Sequence, residues 1–137
     1  MQTQVISSLE PSLRTGVVDV KEDRLSLILE TSKFGEAVIL RCKGRIVFRD
    51  EVVELSRVVG DAIQNSRLLI LDLQGVSAID SAGLGELVAL HMWAQGNGCN
   101  LKMTGLSSRI RRLLDLTNLT SVFEIYATEA DAIAVVA

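Results

Sequence analysis

Aromatic residues, cysteine, proline and histidine are all scarce in this sequence of 137 residues. Because aromatics make up only 4% of the chain, we expect a core of Leu, Val, Ile and Ala, the residues that fill layered α/β interiors. The two cysteines, Cys42 and Cys99, lie in apolar stretches without CxxC spacing. Nothing around them is typical of a disulfide framework, which favours a reducing, cytoplasmic setting.

The single histidine, His91, limits the chemistry that the chain can perform. It excludes a metal site built from several histidines and leaves one imidazole as base for a serine or cysteine nucleophile. His91 falls in an apolar helical stretch, where a histidine packed in the core is the more frequent case. The G-L-G at residues 83–85 completes no nucleotide-binding motif. We therefore expect no enzyme activity, no catalytic residue, no cofactor and no metal.

Long apolar runs and a strong excess of one charge are also missing. No stretch approaches the roughly 18 apolar residues that a membrane span needs, and the first residues do not form a signal peptide. A net charge of −3 gives no general attraction to nucleic acid or anionic lipid. The basic cluster Arg109, Arg111 and Arg112 lacks interleaved aromatics, so we interpret it as a solvated helix face. We expect a cytoplasmic protein without a nucleic-acid or membrane partner.

The chain does contain a regular alternation of strand-like and helix-like segments. Residues 1–22 are predicted to be a flexible N-terminal arm, and residues 23–137 a single domain. The apolar patterns predict strands at residues 25–30, 37–42, 46–48, 68–73, 100–103 and 122–126, and helices at residues 52–63, 81–95, around 108–114 and after Thr128. This alternation predicts an α/β fold with a mixed, mostly parallel sheet of about four to six strands and about four helices.

The segment from Asp72 to Gly85 carries the most informative chemistry. A strand is predicted to end at Asp72, and Asp80-Ser81 falls at the start of a helix, where unpaired backbone N–H groups favour an anion. The small residues after Ser81 would leave its hydroxyl accessible to another protein. The alternative is that Ser81 or Asp80 only caps the helix, and that the glycines only allow close packing of helix and sheet.

Three sequence stretches together resemble one family. They are LILDL at residues 69–73, IDSAGLG at residues 79–85 and LLDLTNL at residues 113–119, preceded by Gly44. In this combination they resemble STAS domains, and particularly bacterial anti-sigma factor antagonists. In that family the serine directly after the aspartate is phosphorylated by an anti-sigma factor kinase, so the resemblance implies that Ser81 is the phosphorylation site.

The resemblance also implies a function, which is partner switching in transcription regulation. The unphosphorylated protein would bind an anti-sigma factor that is a serine kinase, and phosphorylation would break that binding; a PP2C-type phosphatase would be a further partner. An acidic residue that helps kinase engagement in many family members is replaced here by Val47. The alternative function is a STAS domain that binds a small molecule or anion and serves a transporter or a larger signalling assembly. The oligomeric state stays open.

The partner is expected to contact the loop before the second long helix and the start of that helix. Small and apolar groups there are hard to explain as solvent-facing. The predicted contact residues are Ser77, Ile79, Asp80, Ser81, Ala82, Gly83 and Leu84.

Overall fold

The computed structural model describes residues 16–19, 27–47 and 50–134. Its strands are β1 (Gly16–Asp19), β2 (Leu27–Phe34), β3 (Ala37–Ile46), β4 (Leu68–Ile79), β5 (Asn100–Thr104) and β6 (Glu124–Tyr126). Its helices are α1 (Asp50–Asn65), α2 (Ser81–Gly96), α3 (Ser108–Leu116) and α4 (Glu129–Ala134). The predicted α/β fold class is confirmed.

The strands of the described chain form one sheet, in which their spatial order follows their order in the sequence. Strands β1 to β3 pair antiparallel, and strands β3 to β6 pair parallel. A helix joins each parallel pair, and right-handed crossovers that all step in the same direction place α1, α2 and α3 on one face of the sheet. The predicted mixed, mostly parallel sheet is confirmed, and strands β1 to β3 are its antiparallel part.

The main core lies between the sheet and helices α1 to α3. On α1 the buried side chains of Leu55, Val59 and Ile63 recur every four residues, as one face of a helix requires. Phe123 is the only aromatic residue among the buried hydrophobic side chains of the described chain. The predicted core of small and medium aliphatic residues is confirmed.

Helix α4 covers the opposite face of the sheet, which we call the α4 face. There Ala132 packs with Ile39 and Ile70 in a second, smaller apolar cluster. The buried ammonium of Lys102 donates a hydrogen bond of 2.8 Å to the carbonyl of Ala132 and lies 4.9 Å from the ring centroid of Tyr126. Since a buried cation needs such partners, these contacts hold the end of the short helix on the sheet.

Strand β4 is longer than predicted, and this changes how the chain reaches α2. Gln74 to Ser77 remain in the strand because β3 also extends, so that Gly44 pairs with Val76 and Ile46 with Ile79. Two register shifts accommodate the extra length, and Gly44, with φ 119°, lies at one of them. The predictions that this strand ends at residue 72 or 73 and that its neighbour ends at Cys42 were therefore wrong.

Other boundaries differ by a few residues. The strand predicted at residues 25–30 extends to Phe34, so the hairpin turn lies at Gly35 and Glu36, where Gly35 adopts the positive φ of 64° that such a turn favours. The predicted strand at residues 46–48 reduces to Ile46, the last residue of β3, while Phe48 lies outside the described residues. Within the predicted N-terminal arm, β1 pairs with β2; the rest of the arm lies outside the described residues, so its flexibility stays a prediction.

Candidate functional site

The connection from β4 to α2, residues 77–85, forms what we call the β4–α2 junction. Asp80 lies between the strand and the helix in an extended conformation, with φ −95° and ψ −177°. Its side chain accepts a hydrogen bond of 2.8 Å from the backbone N–H of Gly83, which makes Asp80 the N-cap of α2. Of the two candidates for the cap, the structure selects the aspartate.

Ser81 is the first residue of α2, and its side chain is exposed. Because Asp80 caps the helix, the Ser81 hydroxyl is not needed to satisfy the backbone there. The first backbone N–H groups of a helix have no partner within the helix, and the helix dipole is positive at this end. Ser81 therefore presents an accessible hydroxyl at a position that tolerates negative charge.

The glycines of the junction have different roles. A Cβ atom on Gly83 would lie 2.2 Å from the carbonyl oxygen of Ile46, so only glycine lets α2 approach the end of β3 this closely. A Cβ atom on Gly85 would meet nothing within 4 Å. Gly83 thus serves packing, while Gly85 leaves open space one turn along the helix from Ser81.

The predicted contact residues do not all lie on the surface. Ser77 and Ser81 are exposed, and Ile79, Asp80 and Ala82 are half-buried. Gly83 is buried, and the Leu84 side chain is only 7% exposed and packs in the main core. Gly83 has no side chain to present and its backbone is buried, and Leu84 lies in the core, so we correct the predicted contact surface by removing both.

The end of β3 lies against the junction. The backbone N–H of Asp80 donates a hydrogen bond of 3.3 Å to the carbonyl of Ile46, and the Ser77 hydroxyl donates one of 3.3 Å to the carbonyl of Gly44. Val47 directly follows Ile46, the residue that contacts the start of α2.

The α4 face carries a row of polar residues that the sequence patterns did not reveal. Strand register places Glu30, Arg41, Asp72, Thr104 and Tyr126 beside one another on five successive strands, and we call them the polar row. A charged residue inside an otherwise apolar strand, such as Asp72 in LLILDL, was the available signal. That signal gives no partner, because the register that aligns the row depends on the folded sheet.

Helix α4 is attached to the polar row through charge. The Arg41 guanidinium donates two hydrogen bonds of 2.8 Å to the Glu129 carboxylate and one of 3.2 Å to the Ser32 hydroxyl. The pKa of Glu129 is lowered, mainly by the two hydrogen bonds from Arg41 and to a lesser extent by a hydrogen bond with Asp72. The pKa of Asp72 is raised to about 6, mainly by burial and to a lesser extent by the hydrogen bond with Glu129.

The remaining candidate residues have structural roles. His91 is half-buried, and its ring meets the ring of Phe123 edge to face at 5.5 Å between centroids, as expected of a packed histidine. Arg109, Arg111 and Arg112 are exposed on α3, which matches a solvated face. Cys42 and Cys99 are buried free thiols. Within the described part of the chain, no helix is long and apolar enough to span a membrane.

Comparison with known proteins gives consistent matches. The STAS domain family model matches residues 29–132. The anti-sigma-B factor antagonist of Bacillus subtilis (strain 168) is 35% identical over 81 residues, which are 59% of this chain and 68% of that protein.

Two solved structures share the fold. An anti-sigma factor antagonist from Mycobacterium paratuberculosis has a TM-score of 0.71 at 22% identity, covering 80% of this chain and 92% of that one. The Bacillus cell fate determinant SpoIIAA in its phosphorylated form has a TM-score of 0.61 at 19% identity, covering 77% of this chain and 96% of that one.

Proposed function

The chain belongs to the STAS domain family, and we propose that it is an anti-sigma factor antagonist whose binding to an anti-sigma factor kinase is controlled by phosphorylation of Ser81. The general role is supported by the similarity to the anti-sigma-B factor antagonist of Bacillus subtilis. Phosphorylation is supported by the similarity of the fold to SpoIIAA, which has been solved in a phosphorylated form. The chain acts by binding, without catalysing a reaction, and we place this function in the cytoplasm.

The observation that carries the proposal is the exposed hydroxyl of Ser81 beside an N-cap that does not need it. A kinase can reach this hydroxyl without unwinding α2, because Asp80 keeps its bond to Gly83. The space beside Gly85 leaves room for a partner's side chain on the same side of the helix. The site is therefore accessible in the folded protein.

The switch follows from electrostatics. A phosphate on Ser81 would add about −1.5 to −2 charges next to the Asp80 carboxylate. The helix N-terminus stabilises that charge within the protein, but a partner surface shaped for a neutral hydroxyl would be repelled by it. Phosphorylation would thus break partner binding and leave the fold in place.

The proposed contact surface consists of the exposed and half-buried junction residues, centred on Ser81. They are Ser77, Ile79, Asp80, Ser81, Ala82 and Gly85. The proposed partners are the anti-sigma factor kinase, which binds and phosphorylates this surface, and a PP2C-type phosphatase, which restores the free hydroxyl.

The direct test is phosphorylation by the cognate anti-sigma factor kinase that we propose. Incubation with that kinase and ATP, followed by intact mass measurement, should add one phosphoryl group to the wild type. Ser81→Ala should gain none, while Ser77→Ala, a matched loss of an exposed hydroxyl in the same junction, should be phosphorylated like the wild type. An unmodified wild type, or a Ser81→Ala variant that is still phosphorylated, would contradict the proposal.

A further inference from the structure

The α4 face holds a groove between the polar row and the start of α4. Its volume is about 850 Å³, within the size range of small-molecule sites, and we call it the α4 groove. Its polar lining residues include Arg41, Asp72, Gln74, Thr104, Thr128 and Glu129. A groove lined this way does not favour an apolar ligand.

Thr104 gives the groove an unsatisfied polar group. Its side chain is 1% exposed, and its Oγ1 atom has no hydrogen-bond partner. Alternation along β5 puts Thr104 on the same face as Lys102, which contacts α4, so this hydroxyl belongs to the groove side of the sheet. Valine has the same shape and would avoid the cost of burying an unpaired hydroxyl. The hydroxyl is therefore a candidate contact for a ligand.

The charges of the groove determine which ligand it suits. Three of the five N–H donors of the Arg41 guanidinium already bond to Glu129 and Ser32, and the Glu129 carboxylate offsets its charge. The carboxylates of Asp72 and Glu129 outnumber the one guanidinium that lines the groove. A phosphate or carboxylate ligand would meet net negative charge, whereas a cation would be attracted.

We propose that the α4 groove binds a small molecule carrying a protonated amine, with the Asp72 carboxylate and Thr104 Oγ1 as its polar contacts. An ammonium group has three N–H donors, and the lining of the groove offers acceptors in the Asp72 carboxylate, the Thr104 hydroxyl and the Gln74 side-chain carbonyl. The site is independent of Ser81, which lies at the start of a helix on the other face of the sheet. It requires neither a kinase nor phosphorylation.

Amide chemical shifts in a titration with ethanolamine test this site on the full chain. Ethylene glycol, which replaces the ammonium with a hydroxyl, and acetate, an anion of similar size, are the matched probes. We expect saturable shifts at amides lining the groove with ethanolamine only. Equal shifts with ethylene glycol or acetate, or no saturable shift with ethanolamine, would overturn the proposal.

Substitutions separate a binding role from a structural one. Asp72→Asn should weaken ethanolamine binding about tenfold or more, because it removes a charge-assisted hydrogen bond. The control Asp61→Asn makes the same charge change at an exposed position of α1 and should not weaken binding. Thr104→Val should weaken it about fivefold with the fold retained, and Thr104→Ser, which keeps the hydroxyl, should restore it. Unchanged affinity in both Asp72→Asn and Thr104→Val would show that the shifts arise elsewhere.

Discussion

At the scale of single residues, two neighbours in the β4–α2 junction differ in their roles: Asp80 caps a helix, and Ser81 is the proposed phosphorylation site. Asp80 caps α2 through its 2.8 Å hydrogen bond to Gly83, and Ser81 is exposed with no part in that cap. Removal of the Ser81 hydroxyl should therefore change the free energy of unfolding by less than about 0.5 kcal/mol, whereas loss of an N-cap typically costs about 1 kcal/mol. This separation would let the proposed phosphorylation change the charge of Ser81 without loss of the fold.

Asp72 should make the stability of the protein depend on pH. Its pKa is raised from 3.8 to about 6 in the folded protein, so its contribution to stability is fully present below pH 3.8 and is lost as the pH rises through about 6. Glu129 acts in the opposite sense and at lower pH, because its pKa is lowered from 4.5. Between pH 5 and pH 8 the effect of Asp72 should dominate.

The variant Asp72→Asn removes this titration while keeping the shape of the side chain. From pH 5 to pH 8 the wild type should lose about 1 kcal/mol of its free energy of unfolding through Asp72, and the variant should not. The full effect would be larger, but Asp72 is partly exposed to solvent. Urea unfolding at the two pH values measures the change, with Asp61→Asn as the control. A difference from wild type that is the same at both pH values would show that Asp72 titrates normally.

At the scale of elements, the position of α2 depends on one close approach. The missing side chain of Gly83 lets the start of the helix contact the backbone of Ile46 at the end of β3. Gly85, two residues later, has open space where a side chain would lie. These two glycines of one motif should therefore respond in opposite ways to the same substitution.

Gly83→Ala should destabilise the protein by about 1–3 kcal/mol, because the added methyl group would force α2 away from β3. Gly85→Ala should stabilise it by up to about 1 kcal/mol, since alanine is the better helix former and meets no neighbour. Thermal or urea unfolding of the matched pair is the measurement. Equal stability of Gly83→Ala and the wild type would mean that the helix is not held by this contact.

The type and order of most elements could be predicted from sequence, whereas strand length and register could not. The apolar periodicity of α1 and the unbroken apolar start of β4 identify their structure directly. The extension of β4 through Gln74 to Ser77 depends instead on pairing with an equally extended β3, a long-range interaction that local propensity does not contain. The polar row could not be predicted for the same reason, because its members come from five strands and only the strand register aligns them.

The candidate site was predictable in part, from its motif. The motif placed Asp80 and Ser81 at the start of a helix, and the structure confirms that position. It did not distinguish surface from core within the motif, so Leu84 was assigned to the contact surface although it is buried. The helical spacing of Leu84 from Leu87 and Ala94, which lie on the same buried face of α2, indicated that Leu84 belongs to the core.

At the scale of the whole molecule, the sheet separates two polar regions. The β4–α2 junction begins a helix that packs on one face, and the α4 groove lies on the other. Because the sheet lies between them, the two proposed binding sites would not compete for the same surface. The small net charge of −3 adds no strong long-range field, so recognition at either region should depend on local contacts.

The most direct test of the central claim is a matched measurement of folding and binding on the wild type, Ser81→Ala and Ser81→Asp. Thermal melting reports the fold, and calorimetry against the cognate anti-sigma factor kinase reports affinity. All three proteins should melt within a few degrees of one another; Ser81→Ala should bind like the wild type, and Ser81→Asp should lose about 30-fold or more in affinity. Equal affinity of all three proteins would contradict a charge-driven switch at Ser81.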